Sequence, residues 1–205
     1  MHSEDRTLAL LERALDQTAG ILALIRPEQE SLPTPCPDWD VKALITHLTM
    51  SDLPHFTTGA RGETVDWRTP PGELGEDWLQ EFREGARLLS SIWAEADLDQ
   101  PVPSMGGKPA PLRSRADQQI AELAVHSWDL ARATGQSPVL DNEVAEHALG
   151  WSRQMLRPEF RGPEKAFGVE VPVSEDAASY ERLAGWFGRD PHWTPDGGGP
   201  GSARP

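Results

Sequence analysis

The chain has a single cysteine, Cys36, among 205 residues, which excludes an internal disulfide and fits a reducing compartment. No apolar run approaches the roughly 18 to 20 residues of a membrane-spanning helix, and Met1 to Arg6 lacks a basic stretch followed by an apolar one, so a cytoplasmic location away from the membrane is expected. Basic residues are also few. Against 33 acidic residues stand 19 basic ones, giving a formal charge of −14, a balance that repels a phosphate backbone and argues against a nucleic-acid partner. Lysine is rarer still, at Lys42, Lys108 and Lys165, the other basic residues being arginine. There is no GxxxxGK[ST] phosphate loop and no GxSxG elbow, which argues against nucleotide hydrolysis and serine-hydrolase chemistry. Strand signals are nearly missing, with only Phe167 to Val173 alternating in a β-like way.

What remains is helical. From Glu4 to Ile25, Leu8, Leu11, Leu15, Thr18, Leu22 and Ile25 fall at the spacing of an amphipathic helix. The Pro33 to Pro37 segment breaks the pattern, and Asp40 is placed to cap a second helix that carries Val41, Leu44, Ile45 and Leu48 and ends near Leu53, before Pro54. A polar stretch follows from Thr57 to Gly75. Further helices are predicted over residues 76–96, 115–134, 142–156 and 177–187, with Gly135 and Gly188 as stops. The loop from Pro101 to Pro111, with Gly106 and Gly107, is a candidate rim for a site. The expected fold is all-α. One domain is expected over residues 1–193, followed by a tail, 194–205, too polar and too rich in glycine and proline to build a core.

Glu122 and His126 stand four apart on the predicted fourth helix, so their side chains emerge one turn apart on one face. On spacing alone such a pair is more often solvated than ligating. His47 flanks the packing stripe of the second helix in the same way, and if the two helices are neighbours the three side chains meet. Two imidazoles and one carboxylate suit zinc foremost, and also nickel or iron, and leave coordination positions open as catalytic sites do. Asp129 is placed to orient a ligand imidazole. His55, between Pro54 and Phe56, is a further candidate for lining a pocket, whereas His2 and His192 lie near the ends and His147 on a solvated face. Cys36, within a stiff proline-bearing segment, reads as structural rather than reactive. Arg113 and Arg115 read as surface cations first and as partners of a substrate carboxylate second. Trp39, Trp78, Trp93, Trp128 and Trp151 read as core or rim aromatics.

Thr34-Pro35-Cys36-Pro37-Asp38-Trp39-Asp40-Val41, followed by Leu44-Ile45-Thr46-His47-Leu48, resembles the "TPCPGWDV…LLAHL" opening of the DinB-like, mycothiol-dependent maleylpyruvate isomerase N-terminal superfamily. The segment from Glu122 through His126-Ser127-Trp128-Asp129-Leu130-Ala131 to Gly135 resembles the "E…HxWDLAxATG" element of its actinobacterial metal-binding branch. Arg182 to Pro191 is similar to that branch's "LLAFLGRDP" end. The resemblance implies a DinB-like four-helix bundle with extra short C-terminal helices, and a divalent-metal triad of His47, Glu122 and His126. It also implies a metal-dependent enzyme that uses a low-molecular-weight thiol such as mycothiol for isomerisation or S-transfer on a small electrophile. A separate C-terminal domain like that of the maleylpyruvate isomerase is not expected here, so that particular activity does not follow from the resemblance. Two alternatives stay open: a thiol-independent, metal-assisted isomerase or cyclase, and a non-catalytic protein that binds a metal or a small ligand. A homodimer also stays open, since no interface is legible.

Overall fold

The computed structural model describes residues 5–37, 39–103, 108–162 and 167–195. The tail beyond residue 195, the tip of the predicted rim loop at Gly106 and Gly107, and His2 lie outside the described residues.

The first helix, α1 (Arg6–Leu22), begins where the Asp5 carboxylate accepts from the Thr7 amide, and it buries Leu10, Leu11, Ala14, Leu15, Thr18, Ile21 and Leu22 along one stripe. Asp40, Asp77 and Asp141 cap α2 (Val41–Thr46), α4 (Trp78–Trp93) and α6 (Asn142–Met155) in the same manner. Each cap satisfies amide donors that the first turn would otherwise leave unpaired. The longest helix, α5 (Arg113–Ala133), ends at Gly135, whose φ of 68° suits a residue without a side chain.

Four rods form a ring: α1 packs on α4 and α5, α4 on α3 (Leu53–Ala60), and α3 with α2 back on α5. The rod containing His47 and the helix containing Glu122 and His126 are therefore neighbours. The centre of the ring is apolar, with Phe82, Leu89 and Trp93 from α4 buried against Leu44, Leu48, Leu53 and Phe56. Inside it, the hydroxyls of Thr18 and Ser127 bond each other at 2.9 Å across α1 and α5. The outer flank of α5 is covered by α6, which in turn holds α7 (Ser179–Trp186). α5 is thus buried on nearly all sides, which explains its many apolar and small residues.

Three expectations are corrected. The second helix does not stop at Pro54. It continues through a π-helical stretch, His47–Asp52, into α3 and ends at Ala60, because the wide turns close just before the proline and place it in the first turn of α3, where a missing N–H costs little. Phe167 to Val173 forms no strand beyond one bridge between Arg161 and Phe167; the segment packs over α7 instead of pairing. The only sheet among the described residues is a short antiparallel pair, β1 (Pro101–Val102) and β2 (Ala110–Pro111). His147, expected on a solvated face, is half-buried against α5, its Nε2 2.7 Å from Asp117.

Candidate metal centre

His47 opens the π-helical stretch. A π-turn closes on the fifth residue rather than the fourth, as in the bond from the Leu53 amide to the Leu48 carbonyl. His47 and Asp52, five apart, consequently share a face, with His47 Nε2 3.3 Å from Asp52 Oδ2. Across from them on α5, His126 Nε2 lies 3.4 Å from Glu122 Oε2. Ligating atoms of His47, Glu122 and His126 all fall within 4.8 Å of one another, so the structure brings together the three residues singled out in the sequence.

The buried polar atoms here are arranged unevenly. His126 Nδ1 is 2.9 Å from Asp129 Oδ2, and Asp129 is also gripped by Arg189, Nη2 to Oδ2 at 3.0 Å and Nε to Oδ1 at 3.3 Å. Burial alone would push the Asp129 carboxyl up, but the Arg189 charge and the His126 N–H outweigh it and hold it below the usual carboxylate range. An ionised Asp129 can only accept, so His126 donates from Nδ1 and its Nε2 faces Glu122. In contrast, the buried His47 Nε2 and Asp52 Oδ2, though 3.3 Å apart, form no hydrogen bond among the described residues, a costly state for such groups.

The two imidazoles are pushed apart in acidity. Burial and the nearby His126 lower the pKa of His47 to about 4. His126 is also opposed by burial, but the Asp129 and Glu122 carboxylates raise it to about 9. Glu122 stays below its ordinary value, burial notwithstanding, because both histidines and Arg189 favour the carboxylate. Asp52 is driven well above the carboxylate range by burial and by the Glu122 charge.

Two imidazole nitrogens and a carboxylate converging on one point, with one nitrogen buried and making no hydrogen bond among the described residues, fit a borderline divalent cation such as zinc. Trp39 covers the mouth, its ring 4.4 Å from His47 and 5.7 Å from His126. Asp52 and Arg189 escaped the sequence reading. Asp52 is in place only because the helix is π-helical there, and Arg189, in the Gly188-Arg189-Asp190-Pro191 segment, is sixty residues from its partner Asp129. That segment can reach α5 because Gly188 has φ 82° and approaches Gly168 so closely that a Cβ would lie 2.9 Å from the Gly168 Cα.

Cys36, expected to be structural, is half-buried beside the centre, its sulfur within 4.8 Å of ligating atoms of both His126 and Asp129. His55 stands apart from the triad, 3.3 Å from the Ser51 hydroxyl and stacked on Trp67. Arg113 is tied to Asp5 and Asp99.

Residues 11–131 match the mycothiol maleylpyruvate isomerase N-terminal domain, and the chain belongs to that family. It is 31% identical over 186 residues to an uncharacterized protein of two Mycobacterium tuberculosis strains, a match covering 87% of this chain and 94% of the relative. The fold is similar to crystal structures of the mycothiol-dependent maleylpyruvate isomerase (TM-score 0.50) and of a histidine-to-alanine mutant of it (TM-score 0.56). Each shares 16% identity with this chain and covers 72% of it, while the chain spans 66% of theirs. The all-α, DinB-like bundle read from the motifs is the fold observed. Among the described residues, no helix is long and apolar enough to cross a membrane.

Proposed function

We propose that the protein is a metal-dependent enzyme that uses a low-molecular-weight thiol, mycothiol foremost, to isomerise or S-transfer to a small electrophile. The observation that carries the reading is the convergence of His47, Glu122 and His126 within 4.8 Å, with His47 Nε2 buried and making no hydrogen bond among the described residues. These three residues would hold the ion. A divalent ion there supplies Lewis acidity, which lowers the pKa of a thiol and keeps it in its nucleophilic form.

The chain's own residues do the remaining work. Asp129 fixes the His126 ring by accepting from Nδ1, and Arg189 fixes Asp129, so Nε2 is aimed at the centre, where it would give up its proton on binding an ion. Trp39 shields the two imidazoles from bulk water and strengthens every charge interaction beneath it. The family membership supports the thiol: the domain after which the family is named belongs to a mycothiol isomerase.

The test is metal content by inductively coupled plasma mass spectrometry on wild type and on His47→Ala, Glu122→Ala and His126→Ala. About one equivalent in wild type, lost in the variants, is expected. The cobalt-loaded protein is then titrated with mycothiol, and a sulfur-to-cobalt charge-transfer band is expected. Metal without that band would favour a thiol-independent, metal-assisted isomerase. No metal in wild type after reconstitution with zinc, nickel or iron would overturn the reading.

A further inference from the structure

Beside the metal centre, on the opposite flank of Glu122, lies a cavity of about 100 Å³ between α5, α6 and the chain that follows α6. Glu122 lines both the cavity and the triad, so the two are contiguous. Its apolar wall is built from Trp151, Phe160, Phe167 and Phe187, and Arg115, Glu122 and Arg157 bring charge to the lining. For scale, an apolar protein cavity of ~150 Å³ accommodates benzene, so this smaller one is too tight for an aromatic ring and has room for a short alkyl chain.

One cation stands out in the lining. Arg115 donates from Nη2 to the Pro103 carbonyl at 2.8 Å, and among the described residues it makes no ion pair with a carboxylate. Two residues away, Arg113 is held by both Asp5 and Asp99. In a chain with 33 acidic residues against 19 basic ones, a half-buried guanidinium that makes no ion pair among the described residues is unusual. Its fork of donors matches a carboxylate. Arg115 and Glu122 are seven residues apart on one face of α5, which at the rise of an α-helix is about 10 Å.

We propose that this cavity is the substrate subsite, taking a slender monocarboxylate with a short alkyl body. Its carboxylate lies on Arg115, its body against the apolar wall, and its far end points toward Glu122. As a binding site the cavity stands by itself; as a substrate subsite it rests on the metal-dependent reading above.

Binding is measured by isothermal titration calorimetry on the full chain, zinc-reconstituted and metal-stripped, with hexanoate and its uncharged amide as probes. The acid is expected to bind both preparations, because Arg115 and the walls need no metal. Its affinity should fall about tenfold or more in Arg115→Gln, the loss of a charge-assisted pair, and partly recover in Arg115→Lys. Arg13→Gln, the same charge change at a surface pair with Asp141 and Glu143, should bind like wild type. Equal binding of acid and amide, unchanged affinity in Arg115→Gln, or no heat up to millimolar probe would overturn the proposal. If Arg115→Gln does not fold, the acid-to-amide ratio on wild type decides. Zinc content measured on the same samples separates the two readings: carboxylate binding without stoichiometric metal defeats the enzyme proposal and leaves the subsite, while stoichiometric metal without carboxylate binding defeats the subsite alone.

Discussion

α5 takes part in two histidine–carboxylate contacts that look alike on paper. On its inner face His126 sits between Glu122 and Asp129; near its start Asp117 meets His147 of α6 at 2.7 Å. The difference lies in what surrounds them. His126 has a carboxylate near each ring nitrogen, a buried arginine behind one of them, and a second histidine from another rod within reach. His147 has one described partner, retains a quarter of its side-chain exposure, and no third ligating group joins the pair. A histidine beside a carboxylate is thus a packing contact until a third donor arrives from elsewhere in the chain.

Removing the support behind the inner site should have the largest effect. Asp129 is 0% exposed and Arg189 8% exposed, so Arg189→Met leaves a buried carboxylate with only the His126 N–H against it and should cost about 3–5 kcal/mol, read as a lowered urea midpoint. Next comes Asp129→Asn, which keeps the shape but loosens the His126 ring. It should weaken zinc binding by roughly 10- to 100-fold in a chelator competition, equivalent to about 1.4–2.7 kcal/mol. Thr18→Val strands the Ser127 hydroxyl inside the ring and should cost about 1–3 kcal/mol in the same denaturation assay. The smallest effect belongs to the outer pair: His147→Gln should change stability by at most about 1 kcal/mol and leave metal content unaltered. If His147→Gln lowered metal content as much as His126→Ala, the contrast between the two sites would be mistaken.

Much of this was readable before any coordinates. The stripe on α1, the Asp40 cap and the Gly135 stop are local rules, and the structure follows them to within a few residues. Glu122, His126 and Asp129 share one helix, so their common face follows from spacing, and the motif around His47 supplied the third member. Asp52 was invisible because the reading assumed α-helical periodicity, under which a residue five places on leaves the face of His47. Pro54 misled for the same reason. Arg189 was quoted within a motif but given no role, since nothing near it in sequence names Asp129 as its partner. Cys36 was judged by its proline neighbours, and those say nothing of His126 beside it.

The sequence by itself determined where helices begin, which faces are apolar, which side chains on α5 share a face, and the family to which the chain belongs. These depend on contacts within a few residues, where backbone geometry alone fixes relative position. Only the tertiary structure decided that the π-helical rod lies against α5, that Arg189 returns to neutralise Asp129, and that an aromatic cavity opens beside Glu122 with Arg115 at its edge. Each of those joins segments distant in the chain, and which segments meet is settled by burial of the whole core, a sum over the molecule that no local pattern contains.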